Sequence, residues 1–241
     1  MPVVRRITAR IKSITKYSDN VCSMVLNPDQ TVPKFRPGQF LHLALDPFDP
    51  TRQWPESRVF SIANSPTRSS LIRIVFSVKG SFSKRMMDEG TVGRTVWLKL
   101  PYGSFTLEDN ERHKVFVAGG TGITPFVSFL EYAIDCGAQS PISLYYGVRI
   151  PPLMIFGDLI EECAKKIKHF DATISVEQNS SGHAEFKTGS LNMAEILESV
   201  VDKQNCDFYL SGPWKMVDSF KATLLQSSVS QSNIFIDDWG R

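Results

Sequence analysis

Three stretches of this sequence combine residue types suited to holding phosphates and flat ring systems. The first is Gly119-Gly120-Thr121-Gly122-Ile123-Thr124-Pro125, near the midpoint of a 241-residue chain. Glycines let a backbone turn tightly and approach a ligand closely. Thr124 suits a helix cap, and Pro125 suits the first helical turn, where no N–H partner is needed. The free N–H groups and the dipole of such a helix start favour a phosphate, although Gly-rich strand-to-helix turns also occur without ligands. The second stretch is Arg58-Val59-Phe60-Ser61. Alternation puts Arg58 and Phe60 on one face of a strand and Ser61 on the other. An Arg grips a phosphate through charge-assisted bonds, a flat aromatic stacks on a planar ring, and a Ser hydroxyl donates to a ring nitrogen. The same residues also read as a surface Arg beside a core Phe. The third is Lys79-Gly80-Ser81-Phe82-Ser83, where a strand closes and a short helix opens. Gly80 allows close approach, and the N–H groups around Ser81 to Ser83 suit another phosphate. The alternative is a plain helix start capped by Ser81 or Ser83.

The elements that must position these residues follow from periodicity. In the first half of the chain, apolar and polar residues alternate in period two. Strands are expected over 4–13, Val21–Leu26, Leu41–Leu45, Arg58–Ala63, Leu71–Val78 and Thr95–Leu100, with a short helix over Ser83–Glu89. Six short strands separated by turn residues indicate a small antiparallel barrel. The polar segment Glu108–Arg112 is the expected boundary, giving domains 1–109 and 110–241. Beyond it, strands at Lys114–Ala118, Ile142–Tyr146, Ala172–Val176, Asp207–Leu210 and Asn233–Ile236 alternate with helices. Those helices are expected at Thr124–Cys136, Gly157–Lys168, Leu191–Val200 and Trp214–Gln226. This is the βαβ pattern of a parallel sheet covered on both faces.

Composition narrows the function classes. A chain that is 42% hydrophobic has ample core for one large domain or two ordinary ones. A net charge of +2 gives no electrostatic case for nucleic acid or an anionic membrane. Cys22, Cys136, Cys163 and Cys206 form no C-x-x-C pair, and the four histidines show no metal spacing, so no metal site and no iron–sulfur cluster is expected within this sequence. Scattered thiols point to buried free cysteines in a reducing compartment. With no signal peptide and no apolar run of about 20 residues, the expectation is a cytoplasmic protein.

Taken in order, the motifs resemble the ferredoxin–NADP reductase family of flavoproteins. After Arg58-x-Phe60-Ser61 come Gly80-x-x-Ser83, Pro101-Tyr102-Gly103-Ser104-Phe105 and Gly119 to Pro125. Then follow Tyr145-Tyr146-Gly147-Val148-Arg149, Ser211-Gly212-Pro213 with Met216, and a terminal acid and aromatic, Asp237 and Trp239. The resemblance covers nearly the whole chain and implies an antiparallel flavin barrel followed by a nicotinamide-binding α/β domain. It implies that Arg58 grips the FAD pyrophosphate, Phe60 stacks on the isoalloxazine, and Ser61 bonds near flavin N5. Val59, Val78, Gly80, Ser81, Phe82 and Ser83 complete the FAD site. Gly119, Gly120, Thr121, Gly122, Thr124 and Pro125 hold the nicotinamide cofactor's pyrophosphate, Gly147 and Arg149 lie near its adenosine, and Ser211, Gly212, Pro213 and Met216 border its nicotinamide. Ser61, Ser211 and Asp237 are the expected catalytic residues. Three positions depart from the family pattern: Phe60 stands for a usual Tyr, Ser211 for a frequent Cys, and Trp239 occupies the terminal aromatic position, where a ring can cover the flavin.

The implied function is an oxidoreductase passing electrons from NADH or NADPH through FAD to a separate acceptor: a ferredoxin, a flavodoxin, an oxygenase component or a small molecule. Hydride transfer between cofactors needs no protein general base, so the lack of a His/Asp pair fits. Two other readings remain open at this point: a reductase that releases reduced free flavin, and a flavin-binding subunit without turnover. Arg149 suits a 2′-phosphate, yet the Ile150–Met154 run after it adds no second cation, so NADH and NADPH stand level.

Overall fold

The computed structural model describes residues 3–178 and 186–238. By packing, the chain divides into two compact units, one of residues 1–107 with 127–135 and one of residues 108–126 with 136–241. The first unit is a six-stranded antiparallel sheet rolled into a nearly closed barrel. Its strands are β1 (Arg5–Ser18), β2 (Val21–Pro28), β3 (Phe40–Ala44), β4 (Ser57–Ser61), β5 (Ile72–Ser77) and β6 (Thr95–Tyr102), in the order β4-β3-β6-β1-β2-β5. β1 pairs with β6 through Arg5–Arg10 and with β2 through Ala9–Ser18, with register shifts at Ile11/Ser13 and Lys16/Ser18. Such bulges bend and twist a strand, which lets β1 serve both walls of the barrel. Alternation sends Ile7, Ala9, Ile11, Leu41, Leu43, Val96, Leu98 and Leu100 into one core with Met24, Leu26, Ile74 and Phe76. Helix α1 (Ser81–Glu89) adds Phe82 and Met86 to it.

Within this unit, residues 127–135 are tied to the turn that follows β4. The buried Glu131 carboxylate accepts the Ser65 N–H at 2.9 Å and is ion-paired with Arg73. Asp135 takes a two-pronged grip from Arg68, with Nη2–Oδ1 at 2.6 Å and Nε–Oδ2 at 3.2 Å. The buried Ser128 hydroxyl donates to the Asn64 carbonyl at 2.8 Å. These partners satisfy a carboxylate that would be costly to bury alone.

The second unit is a parallel sheet of six strands: β7 (His113–Gly119), β8 (Ile142–Val148), β9 (Phe170–Val176), β10 (Lys187–Thr188), β11 (Cys206–Ser211) and β12 (Ile234–Ile236). Its helices are α2 (Thr124–Cys136), which begins in this unit, α3 (Gly157–Lys166), α4 (Met193–Ser199) and α5 (Trp214–Gln226). The order is β10-β9-β8-β7-β11-β12, and every pairing is parallel. The chain therefore steps outward one way from β7 to β10 and the other way through β11 and β12. That reversal between β7 and β11 is the point where sheets of this kind open a crevice at the strands' carboxyl ends. On one face, Val115, Val117, Tyr145, Phe208 and Leu210 pack against Ile196 of α4 and Val217, Phe220 and Leu224 of α5. Among the described residues no helix is long and apolar enough to cross a membrane. Cys22, Cys163 and Cys206 are buried free thiols, whereas Cys136 is exposed, because it ends α2 where the apolar face has run out.

The polar segment that opens the second unit is more than a connector. Asp207 is buried at the amino end of β11 and receives Lys114 Nζ at 2.8 Å, Arg112 Nε at 2.7 Å and Asn110 Nδ2 at 2.9 Å. Burial alone would raise this carboxyl's pKa, but the hydrogen bonds from Lys114, Asn110 and Arg112 hold it below the usual carboxylate range. Its stabilising contribution is therefore present at neutral pH and lost on acidification through that range. Lys114, only 4% exposed, depends on the same carboxylate. Asp207→Ala leaves that ammonium buried without its counter-charge and is expected to cost about 3–5 kcal/mol, read as a lowered denaturant midpoint.

Candidate cofactor sites

In the first unit, β4 carries the Arg58–Ser61 motif at the edge of the sheet. Cross-strand register pairs Phe60 with Leu41 and Arg58 with Leu43, on the core-facing side, and pairs Ser61 with Phe40 and Val59 with His42 on the outer side. Phe60 stands at the barrel's open edge, half-buried, edge-on to Phe76 with centroids 6.4 Å apart. Arg58 is exposed, bonds Glu56 at 3.0 Å, and holds its guanidinium over the Phe82 ring at 5.1 Å. Arg58 thus lies at the start of α1. There the first-turn N–H groups of Ser81, Phe82 and Ser83 have no intrahelical acceptor. The Ser83 hydroxyl turns back to accept the N–H groups of Lys79 and Gly80 at 2.9 and 3.1 Å and donates to the Gly80 carbonyl at 3.1 Å. Gly80 is extended rather than left-handed, and a Cβ there would meet nothing within 4 Å. One cation, a set of free amides and open space fit a diphosphate.

Two details of this half bear on the stretch Gly80–Ser83. The Phe82 side chain is core, only 3% exposed, so nothing but its amide is available to a ligand. Neither Ser81 nor Ser83 caps α1 from outside. Ser83 acts from within the first turn, because Gly80 at the cap has no side chain to do so. Val78 is partly buried against the barrel core and donates its N–H to the Asn20 carbonyl at 2.8 Å. Ser61 is buried, and its hydroxyl makes no side-chain hydrogen bond among the described residues.

In the second unit, the Gly-rich stretch lies at the carboxyl end of β7, beside the reversal point. Residues Gly120–Ile123 form a 3₁₀ turn that runs directly into α2. Thr124 is therefore already helical, at φ −56° and ψ −49°, and its hydroxyl donates to the Thr121 carbonyl at 2.6 Å. The expectation that Thr124 caps α2 is corrected: helical winding starts a turn earlier, at Gly120, and Pro125 follows inside the helix. The glycines are required by backbone crowding. A Cβ on Gly122 would lie 2.4 Å from the Ser211 carbonyl oxygen, and one on Gly119 would lie 2.8 Å from Pro213 and 2.9 Å from the Met216 sulfur. Gly212 has φ +151°, and a Cβ there would lie 2.8 Å from Met216 and 2.9 Å from the Gly119 nitrogen. Gly120 differs: at φ +54° it faces open space. The turn is thus pressed against the start of α5 on one side and open on the other, which suits the close approach of a dinucleotide's phosphates.

Ser211 and Asp237 come together beside this turn. The Ser211 hydroxyl donates to Asp237 Oδ2 at 3.0 Å, with the two residues only 1% and 8% exposed. The Asp237 N–H continues the β12 ladder to the Leu210 carbonyl at 3.0 Å. Farther along the sheet, Gly147, next to last in β8, lies under Leu191, whose Cδ1 would lie 2.8 Å from an added Cβ. Arg149 is exposed just beyond, its carbonyl accepting the Gln178 N–H at 2.9 Å. Trp239 lies outside the described residues.

Sequence reasoning missed Glu177, Ser190 and Leu191. Glu177 follows β9 and donates its N–H to the Val148 carbonyl at 3.0 Å, which continues the β8–β9 register and places it beside Arg149. Its carboxylate accepts the Ser190 hydroxyl at 3.3 Å. An acid at the carboxyl end of a strand next to the Gly147–Arg149 strand was the available signal; it was obscured by the polar run that follows.

Residues 116–222 match the oxidoreductase NAD-binding domain family. Over 234 residues, 95% of this chain, it is 26% identical to the anthranilate 1,2-dioxygenase electron transfer component of Acinetobacter baylyi, covering 66% of that protein. It is 28% identical over 97% of its length to the propane 2-monooxygenase reductase component of a Gordonia species, covering 68% of it. The chain thus spans about two thirds of the length of these relatives. Among solved structures, the FAD/NAD-binding domain of a Vibrio cholerae nitric oxide dioxygenase superposes with a TM-score of 0.83 at 21% identity, over 98% of this chain and 99% of that one. The ferredoxin reductase of a carbazole 1,9a-dioxygenase gives 0.80 at 20% identity, over 98% of this chain and 70% of that one. Barrel, parallel sheet, the phosphate-suited helix starts and these likenesses agree: residues 116–222 match an oxidoreductase NAD-binding domain, and the chain as a whole is similar in sequence and fold to the reductase and electron-transfer components named above.

Proposed function

We propose that this protein takes reducing equivalents from NADH and passes them through FAD to a separate protein acceptor, as the electron-transfer components among its relatives do for their oxygenases by name. The observation that carries this reading is the Gly119–Gly122 turn, pressed on Ser211 and Gly212 at the β7/β11 reversal and open at Gly120. Bound FAD supplies the exchange between a two-electron hydride and electrons delivered one or two at a time. Arg58 and the first-turn amides of α1 hold its diphosphate, and Phe60 offers a ring face to its flat system. The Ser61 hydroxyl, without a partner among the described residues, is free to bond a flavin nitrogen. On the other unit, the amides of Gly120 to Gly122 hold the coenzyme's diphosphate. Ser211, fixed by its hydrogen bond to Asp237, borders the nicotinamide, which brings the Asp237 carboxylate to that end of the turn.

The preference for NADH rests on Glu177. It stands beside Arg149 at adjacent strand ends, where the adenosine ribose of a coenzyme crossing the sheet edge would lie. A carboxylate accepts hydrogen bonds from ribose hydroxyls and repels a 2′-phosphate. It also offsets the single cation, Arg149, that would otherwise attract one.

Stopped-flow mixing of the purified holoprotein with NADH tests the function directly: the flavin absorbance band bleaches rapidly, and a band that stays unchanged defeats the oxidoreductase reading. Gly122→Ala forces a Cβ onto the Ser211 carbonyl; it is expected to raise the NADH KM by roughly tenfold or more, worth about 1.4 kcal/mol, with flavin content retained. In Glu177→Gln, the ratio of kcat/KM for NADPH to that for NADH is expected to rise by roughly tenfold, the scale of removing one like charge about 4 Å from a phosphate. An unchanged ratio rejects Glu177 as the selector.

A further inference from the structure

Ser61 closes β4, and residues Ile62, Ala63, Asn64 and Ser65 that follow it are all buried. Buried main chain that leaves a ladder must find its hydrogen bonds elsewhere. The Ile62 N–H bonds the Gln39 carbonyl at 2.9 Å, and the Ala63 N–H bonds the Arg73 carbonyl at 2.7 Å. Arg73 on β5 also reaches back with its side chain. Its Nε donates to the Ala63 carbonyl at 2.8 Å, while its Nη2 is ion-paired with Glu131 Oε1 on α2. The other Glu131 oxygen accepts the Ser65 N–H at 2.9 Å, and the Ser128 hydroxyl donates to the Asn64 carbonyl at 2.8 Å. The Asn64 side chain completes the turn. It accepts the Arg73 N–H at 2.8 Å and donates to the carbonyls of Ser65, Arg68 and Leu71 at 3.2, 3.3 and 3.1 Å. All of these groups belong to the first unit.

We propose that Glu131 and Arg73 are positioning residues for the Ser61 hydroxyl, which they hold in place through the main chain just beyond it. This rests on the flavin role given to Ser61 above. The Ser61 hydroxyl makes no side-chain hydrogen bond among the described residues, so its place is set by its backbone. That backbone is held on one side by the cross-strand pairing with Phe40 and on the other by the Arg73–Glu131 pair. Stability alone does not call for an ion pair here. The Glu131 side chain is 6% exposed and that of Arg73 25%, and an apolar pair of similar volume is often as stable as a buried ionic one. What the pair adds is direction. The rigid guanidinium fork meets the Ala63 carbonyl with one nitrogen and the carboxylate with another, and the same carboxylate fixes Ser65. Asn64, between those two residues, is held from three sides. A hydroxyl that must bond a ring nitrogen needs such support, because functional groups work only when held to within about 0.5 Å.

The test uses FAD-loaded holoprotein and two readouts: the rate at which NADH bleaches the flavin band, and the flavin midpoint potential measured against a reference dye. Glu131→Gln keeps the shape and removes the charge that holds Arg73. It is expected to slow bleaching about tenfold, less than the roughly 10²-fold of a full 1 Å misplacement. The two-electron equilibrium with the dye shifts about threefold, which is about 14 mV at about 30 mV per tenfold, in the same direction as in Ser61→Ala. In the Ser61→Ala background, Glu131→Gln adds nothing to either readout, since residues that act through one group are not additive. If Glu131→Gln prevents folding or loses the flavin, Ser128→Ala removes only the bond to the Asn64 carbonyl and gives the same pattern at about threefold in rate. Equal effects with and without the Ser61 hydroxyl overturn the proposal. A lowered denaturant midpoint with both flavin readouts unmoved also overturns it and assigns the pair to stability alone. Ser61→Ala without effect on rate or potential defeats the flavin role of Ser61 itself, and the positioning role falls with it.

Discussion

The second unit depends on one backbone-to-backbone approach at its sheet reversal. Gly122 lies against the Ser211 carbonyl, and Gly212 lies against the Gly119 nitrogen, both closer than any side chain permits. Strands β7 and β11 are adjacent and parallel, so the segments leaving their carboxyl ends start side by side. For both to turn away at once, each must lose its Cβ where they cross. The consequence is chemical as well as steric. Two runs of main-chain amides open beside each other, with Gly120 facing open space and the first turn of α5 next to it. The crevice arises from strand order, and the glycines keep it narrow.

Charge is used differently at the opposite end of the sheet and in the barrel. Asp207 and Lys114 sit at the amino ends of β11 and β7, buried and saturated by Arg112 and Asn110. Glu131 and Asp135 are likewise saturated, by Ser65, Arg73, Arg68 and Thr67. Each of these carboxylates is held by two or more donors within the fold. They hold segments in register at the expense of desolvation that their partners offset. By contrast, the groups at the proposed sites are under-used: Arg58 has one exposed acid and a ring, Arg149 has no ion pair among the described residues, and Ser61 has no side-chain partner there. Function is concentrated where the bonding is incomplete.

Much of this was legible in the sequence because the periodicities are clean. The six barrel strands and five of the six parallel strands follow from alternation and short apolar runs. Helices α2 and α5 span Thr124–Cys136 and Trp214–Gln226 in sequence reading and structure alike. The strand β10 escaped because two polar residues, Lys187 and Thr188, carry no hydrophobic signal; tertiary pairing with β9 alone makes them a strand. The Thr124 cap was misplaced because local preference cannot show that a 3₁₀ turn precedes the helix. The acid clusters were illegible for a plainer reason: their partners lie 58 to 97 residues away in the chain.

The Ser at position 211 becomes intelligible through its neighbour. Asp237 is 8% exposed and needs donors to remain charged there. A thiol is a weak donor, whereas a hydroxyl bonded to a carboxylate contributes roughly 1.5–3 kcal/mol. The 3.0 Å bond from Ser211 therefore stabilises the buried acid in a way that the frequent Cys of the family pattern would not. Position 211 and position 237 are in this sense one choice. Because Ser211 closes β11 and Asp237 follows β12, the bond also ties together the carboxyl ends of the two strands beyond the reversal point. The acid is thereby held at a fixed place on the rim of the proposed nicotinamide crevice.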